Sequence, residues 1–327
     1  MTLCAPALIV VEGAPGCGKS TTAQRLSIEL SKSGFKSRFL HEDESDNPVR
    51  EWYDPEKFNS PDHYRTHTTA AWNAFIAQVN SGDTIYVLDG CLFQTTFFGL
   101  LWHDLDEAII RDTAYDLLNA FQRARVVLVS LYSSSIRRTL TEAYGSRYES
   151  LLIDSIVRIE KSTFCRNRKL NGIDALVRFW TELRRLADPM IQDFSGPHLA
   201  LNVSKRDLNE ANQVLAEYFE LPPFEPGRVL EDALKKYVGA YSRNVKGGRA
   251  EFHITFEDGY LVVAGLAPFL WDAGNRLIPK REHIFYAQAW PTEAVFEVGE
   301  DGAIKNLRLE SRDRGWRSTR EIFPKVL

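Results

Sequence analysis

Gly13-Ala14-Pro15-Gly16-Cys17-Gly18-Lys19-Ser20 is the stretch that decides the fold, because it is a complete G-x-x-x-x-G-K-S run. Its glycines allow backbone N–H groups to turn inward around phosphate oxygens, and the helix that should follow adds the positive end of its dipole. Lys19 would neutralise phosphate charge and the Ser20 hydroxyl would hold Mg²⁺, so the segment Gly13 to Thr21 is expected to grip the β and γ phosphates of a nucleotide. Working outward, Ala7-Leu8-Ile9-Val10-Val11 is a continuous apolar, β-branched run, and Ser20 to Leu30 reads as a helix that closes near Gly34. Strand, loop and helix stand in the order the motif requires.

Further strands are expected at Ser37–Leu40, Thr84–Leu88, Arg125–Leu131 and His198–Val203, with helices at Tyr64–Asn80, Asp106–Arg123 and Leu208–Phe219 between and after them. This βαβ rhythm predicts an α/β fold with five parallel strands, whose ligands sit at the carboxyl ends of the strands. Three groups of residues fall there. His41-Glu42-Asp43-Glu44 follows the second strand, and Glu42 or Asp43 is the candidate general base for an acceptor hydroxyl. Asp89 ends the third strand beside the phosphate loop, where an acid can orient Mg²⁺ or its waters. Gly90 permits close approach of the backbone, and Gln94 shortly after it is the candidate contact to an acceptor.

Between the fourth and fifth strands, residues 137–185 gather eleven Lys and Arg against six acids in a chain whose net charge is −4. A helical lid carrying arginines over the triphosphate would stabilise the transferred phosphoryl group and exclude water. Arg137, Arg138 and Arg147 come soonest after the strand and are the candidates.

The chain has 327 residues, 44 % hydrophobic and 26 % charged, which suits one large or two medium globular domains. The acidic balance argues against a dedicated nucleic-acid binder, and no apolar stretch approaches the roughly 20 residues of a membrane span. The short run Leu8–Val11 leads into the phosphate loop and not to a cleavage site, so a cytoplasmic protein is expected. Cys4, Cys17, Cys91 and Cys165 have no C-x-x-C spacing, which indicates neither a zinc site nor a disulfide frame.

Residues 5–221 resemble P-loop kinases of the nucleoside and nucleotide kinase-like group, which includes the thymidylate kinases. The likeness rests on Glu12 to Thr22, the acidic segment before Pro48, Leu88-Asp89-Gly90 and the arginines after Tyr132. It implies ATP with Mg²⁺ as donor and a mobile arginine lid. Asp89-Gly90 stands where that group usually carries an acid followed by arginine, and no arginine precedes Arg50 in the acidic segment. These departures turn the expectation away from a standard thymidylate kinase and towards other hydroxylated acceptors, such as an antibiotic or a sugar. The expected partner is thus a small-molecule acceptor, with a homodimer left open; the rival expectation is a regulatory ATPase or switch with a partner-binding β domain.

The prolines of Leu221-Pro222-Pro223-Phe224-Glu225-Pro226-Gly227 read as a linker, dividing the chain into 1–221 and 222–327. Beyond it a helix is expected at Val229–Tyr241, then strands at Ala250–Glu257, Tyr260–Ala264, His283–Gln288, Ala294–Val298 and Ile304–Glu310, joined in part by turns at Glu257-Asp258-Gly259 and Gly299 to Gly302. This antiparallel β domain, with Ala233 to Tyr241 and Phe252 to Gly259, resembles the small lipocalin-like barrel appended to some penicillin-recognising serine hydrolases.

Overall fold

The computed structural model describes residues 6–49, 55–58, 60–145, 149–205, 208–224, 231–245, 248–264, 275–312 and 320–326. They form two compact units, one of residues 1–42 and 47–223, the other of Asp43–Asp46 with Phe224–Leu327.

In the first unit the phosphate loop lies between β1 (Leu8–Gly13) and α1 (Lys19–Lys32), followed by β2 (Ser37–Leu40), α2 (Pro61–Ser81) and β3 (Ile85–Asp89). A π-helical turn, Leu92–Phe97, leads into α3 (Phe98–Trp102), α4 (Glu107–Gln122) and β4 (Val126–Tyr132). Then come α5 (Ile136–Gly145), α6 (Glu149–Glu160), α7 (Thr163–Arg168), α8 (Gly172–Asp193), β5 (His198–Asn202) and α9 (Leu208–Tyr218). The five strands are parallel in the order β2-β3-β1-β4-β5. Leu8 to Val11 are fully buried, as expected of a central parallel strand covered on both faces. Right-handed crossovers place α1 on one face and the helices after β2, β3 and β4 on the other.

Each helix has a local cause. Ser60 caps α2 by accepting a hydrogen bond from the His63 N–H at 3.2 Å, with Pro61 in the first turn, where its missing N–H is harmless. The buried positions of α8 (Ala175, Leu176, Phe179, Trp180, Leu183, Ala187) follow the three-and-four spacing of one helical face. The core behind the sheet is aromatic. Trp72 of α2 meets Phe121 of α4 edge-on, and its indole N–H donates to Thr96 Oγ1 at 2.9 Å, anchoring the π-helical turn.

The second unit carries α10 (Glu231–Lys235) and eight antiparallel strands: β6 (Gly239–Val245), β7 (Gly248–Glu257), β8 (Tyr260–Ala264), β9 (Asn275–Arg281), β10 (Ile284–Ala287), β11 (Thr292–Val298), β12 (Ile304–Ser311) and β13 (Arg320–Pro324). The strands pair in chain order, and the Val326 N–H donates to Ala240 O at 2.8 Å beside a Tyr241–Lys325 bridge, so the two outer strands meet and the sheet is barrel-like. Tyr237, Tyr241, Phe252, Phe285, Phe296 and Phe323 fill its interior. At the β7–β8 turn Asp258 and Gly259 both have positive φ (50° and 85°), the backbone of a two-residue hairpin.

One sequence expectation is corrected here. The helix anticipated over Val229–Tyr241 is confined, among the described residues, to Glu231–Lys235, because Gly239 to Tyr241 are taken by β6, pairing with Phe252 to Ile254 of β7. Strands β6, β9 and β13 were not anticipated, and neither was the π-helical turn.

Candidate active site

The phosphate loop leaves β1 where Gly13 passes so close to β4 that a Cβ there would lie 2.6 Å from Leu131 O. A backbone oxygen cannot step aside, so only glycine fits. Gly16 and Gly18 both have φ of 84°, the left-handed region, and the Cys17 N–H donates back to Ala14 O at 3.2 Å, curling the loop. Gly18 is the N-cap of α1 and has no side chain to cap it, and no acid occupies the first turn of this 14-residue helix. Its leading N–H groups and positive dipole end therefore face the loop without an internal anion, the arrangement that binds phosphate. Lys19 is only 5 % exposed, its Nζ reaching Ala14 O at 3.4 Å across the loop.

Asp89 reaches the same place through sheet register. Val11 pairs with Asp89, and the Gly90 N–H donates to Val11 O at 2.8 Å, which sets the end of β3 beside the end of β1. The Asp89 carboxylate is completely buried and neither oxygen has a hydrogen-bond partner; His41 Nε2 stands 3.7 Å from Oδ2. Two buried carboxylate oxygens that no protein group donates to are a standing demand for a cation or its waters. Among the described residues no cluster of three or more His, Cys, Asp or Glu could hold a metal alone. Asp89 with Ser20 instead fits Mg²⁺, an ion held through one or two protein oxygens together with substrate phosphates.

Glu12, which the sequence reading left without a role, is the last residue of β1 before Gly13, with 2 % exposure. One of its oxygens, Oε1, accepts the Leu92 N–H at 2.8 Å and so holds the first residue of the π-helical turn; Oε2 is buried without a partner. Burial pushes its pKa up to about 8, against the opposing pull of the Leu92 and Phe93 N–H groups and Lys19, with Asp89 adding a small push upward. The signal was legible in principle, since a carboxylate ending a wholly apolar strand has no solvated face to occupy.

Gln94 lies on the π-helical turn, 8 % exposed, with Oε1 buried and unpartnered. A Cβ at Gly90 would stand 3.4 Å from Gln94 Oε1 and 3.5 Å from Lys19 Cε, so the absence of a side chain at Gly90 lets Gln94 and Lys19 approach one another. Glu42 comes two residues after the end of β2 and is partly buried, whereas Asp43 falls within the segment grouped with the second unit. Glu44 in the same acidic run is fully buried.

Several arginines of the expected lid are engaged with acids. Arg137 of α5 pairs with Asp174 of α8 and Arg138 with Glu142, both at exposed positions; Arg168 pairs with Asp104, and Arg185 with Glu107 and Glu182. Arg147 lies outside the described residues.

Glu12, Gln94 and Ser130 of β4 also line a cavity closed by α8, with about 310 Å³ of empty space that includes its opening to solvent. Among the described residues no helix is long and apolar enough to cross a membrane.

No known family profile matches this chain, and no curated protein does. Solved structures similar to it include shikimate kinase from Acinetobacter baumannii in complex with shikimate, at 17 % identity and a TM-score of 0.36, over 67 % of this chain and 95 % of that one. Deoxyadenosine kinase from M. mycoides with bound dATP gives 17 % and 0.36 over 63 % and 98 %. Kti12 from Chaetomium thermophilum in complex with ADP-AlF3 gives 19 % and 0.36 over 65 % and 97 %. Likenesses of this strength carry no argument about activity. The loop between β1 and α1 and the strand order β2-β3-β1-β4-β5 by themselves make the first unit a P-loop α/β fold.

Proposed function

We propose that the protein is an ATP-dependent phosphotransferase that moves the γ-phosphoryl group of ATP to a hydroxyl of a small molecule. The observation that carries this reading is the conjunction of an uncapped helix N-terminus, the buried Lys19 and the orphaned Asp89 carboxylate at the adjoining ends of β1 and β3. In this reading the loop N–H groups and Lys19 hold the β and γ phosphates and oppose the charge that develops on them. Ser20 and Asp89 would hold Mg²⁺, which when bound would supply charge neutralisation to the triphosphate. The acceptor oxygen forms its bond to the γ phosphorus as the bond to the β–γ bridging oxygen breaks, ADP leaves, and the acceptor proton passes to Glu42 after β2, with Asp43 as the other carboxylate in the run. Arg137 and Arg138 can serve as lid cations only by releasing Asp174 and Glu142, which makes any such contribution conditional on closure, and Arg147 is the third candidate of that lid.

The test is turnover of Mg·ATP by the full chain over a panel of alcohols, nucleosides and nucleoside monophosphates, with mass spectrometry searching for an added phosphoryl group. Lys19→Ala should lower turnover by two or more orders of magnitude without altering the melting temperature by more than a few degrees. An unimpaired Lys19→Ala enzyme would sink the assignment of the loop to catalysis. Hydrolysis stimulated by a protein partner, with no phosphorylated small molecule, would favour the switch instead.

A further inference from the structure

Inside its opening, the cavity against α8 offers a water-sized molecule about 20 Å³, which admits one water and excludes a larger ligand. Three of the residues that line it bring a buried polar atom without a hydrogen-bond partner: Oε2 of Glu12, Oε1 of Gln94 and Nη1 of Arg184. They come from three elements, the end of β1, the π-helical turn and α8. Arg184 is otherwise committed to Asp188, Nε to Oδ1 at 2.7 Å and Nη2 to Oδ2 at 2.9 Å, which leaves Nη1 as the donor of the set. A water bonded to all three satisfies each of them, because it has two protons to give and two lone pairs to receive. It accepts from Arg184 and donates to Gln94 in every case; from Glu12 it accepts when the group is a carboxylic acid, and to the carboxylate it donates.

The turn that carries Gln94 is held under constraint. Gly90 and Cys91 before it have φ of 63° and 80°, and in Cys91, a buried residue with a side chain, that conformation persists only where neighbours impose it. The bonds that do so include the Gly90 N–H to Val11 O at 2.8 Å, the Leu92 N–H to Glu12 Oε1 at 2.8 Å and the Thr96 hydroxyl to Cys91 O at 3.2 Å. Glu12 thus already governs the first residue of the turn. Gln94 Oε1 and Lys19 Cε stand 3.4 and 3.5 Å from the point a Cβ at Gly90 would occupy, so the orientation of the Gln94 amide is set beside the lysine of the phosphate loop. A donor on the cavity side decides which end of that amide faces the wall, and leaves the Nε2 protons for the other side.

Resting on the phosphotransferase reading only for what Gln94 touches, we infer that Glu12 is the positioning residue for Gln94: Oε1 fixes the start of the turn, and Oε2 is joined to Gln94 Oε1 and Arg184 Nη1 by one bound water. The Nε2 protons of Gln94 are then left for the acceptor oxygen. The charged groups that face Glu12 are Lys19 of α1, Asp89 of β3 and, on the cavity wall, Arg184 with Asp188 of α8. Burial raises the pKa of Glu12 to about 8, so as pH passes that value the water turns round and Gln94 feels the change.

The test reads the water and the orientation separately, on the nucleotide-free full chain. A crystal structure at about 1.5 Å or better should show one water within about 3.2 Å of Glu12 Oε2, Gln94 Oε1 and Arg184 Nη1. In ¹H–¹⁵N spectra the side-chain NH₂ resonance of Gln94, assigned by its loss in Gln94→Leu, should titrate with a midpoint at about pH 8. That titration should vanish in Glu12→Gln, which keeps the acceptor for Leu92 and cannot ionise. A Glu12 that only capped Leu92 would not pass its titration to the Gln94 amide. If Glu12→Gln does not melt cooperatively, a glutamate carboxyl ¹³C resonance of the wild type that titrates with the same midpoint takes its place. In the transfer assay Glu12→Ala should lower kcat about tenfold while the KM for ATP changes less than about threefold, and Glu12→Gln should recover most of the loss. A dry cavity, a Gln94 resonance that stays flat through the titration, a titration that persists in Glu12→Gln, or an unimpaired Glu12→Ala enzyme would each overturn the inference. The water and the titration together, with no phosphoryl transfer in any assay, would leave the positioning standing and overturn the phosphotransferase reading alone.

Discussion

Glu12 shows how one residue can couple stability to the architecture of the site. The folded chain holds its proton up to about pH 8, against an ordinary value of 4.5, chiefly because burial disfavours the charged form. Between those two values the folded state binds more protons than the unfolded state, so stability falls as pH rises through the window; below it both states are protonated and the contribution vanishes. Glu12→Gln keeps an acceptor for the Leu92 N–H and removes the titration. In buffer without nucleotide or metal, its melting temperature relative to wild type should rise more at pH 8 than at pH 5. An equal difference at both values would mean that Glu12 does not carry its proton into the window. Lys19, Ser20, Asp89 and Gln94 were legible as residues because a motif or a strand end marks them. The unbonded oxygens of Asp89 and the unbonded Oε2 of Glu12 were not, since a missing hydrogen bond is a property of what surrounds an atom in space.

Elements record the same division. The positions of β1 to β5 and of α1, α2, α4 and α9 followed from apolar runs and helical spacing, with ends displaced by a few residues. The π-helical turn Leu92–Phe97 escaped, because its form depends on bonds from elsewhere: Glu12 holds the Leu92 N–H, and Thr96 Oγ1 accepts from Trp72 while donating to Cys91 O at 3.2 Å. Immediately after it, Gly99 in α3 lies against the Tyr64 ring of α2, where a Cβ would come within 2.0 Å of ring carbon Cζ. Tyr64 is fully buried, so the ring has nowhere to go. Gly99→Ala should therefore destabilise the protein by about 1–3 kcal/mol by urea denaturation, although alanine is intrinsically the better helix former. A neutral or stabilising result would show that the α2–α3 contact is looser than drawn. In the second unit, the spacing near Tyr237 and Tyr241 passed for one helix, although β6 pairs Gly239 to Tyr241 with a strand more than ten residues further on. Such pairing overrides local pattern, because each strand is stabilised by its cross-strand neighbours.

The whole molecule carries two separate hydrophobic cores, one behind the parallel sheet and one inside the antiparallel sheet. Phe296 sits in the second, 2 % exposed and in ring contact with Tyr237, Tyr241 and Phe285. Phe296→Ala should destabilise that core by about 3–5 kcal/mol. Lys19, Ser20 and Asp89 all belong to the first unit, so affinity for an ATP analogue should stay within about twofold of wild type below the transition, checked by denaturation and binding on the same preparation. By itself the sequence determined the glycine-rich loop between β1 and α1 and the alternating strands and helices of the parallel sheet, because backbone geometry at glycine, apolar periodicity and the ends of buried strands are local properties. Tertiary structure alone decided that Glu12, Gln94 and α8 share one cavity, that the buried Asp89 oxygens accept no hydrogen bond and that Arg137, expected over the triphosphate, pairs with Asp174. Each of these depends on distances between residues far apart in the chain, and burial and charge compensation arise only once those distances close.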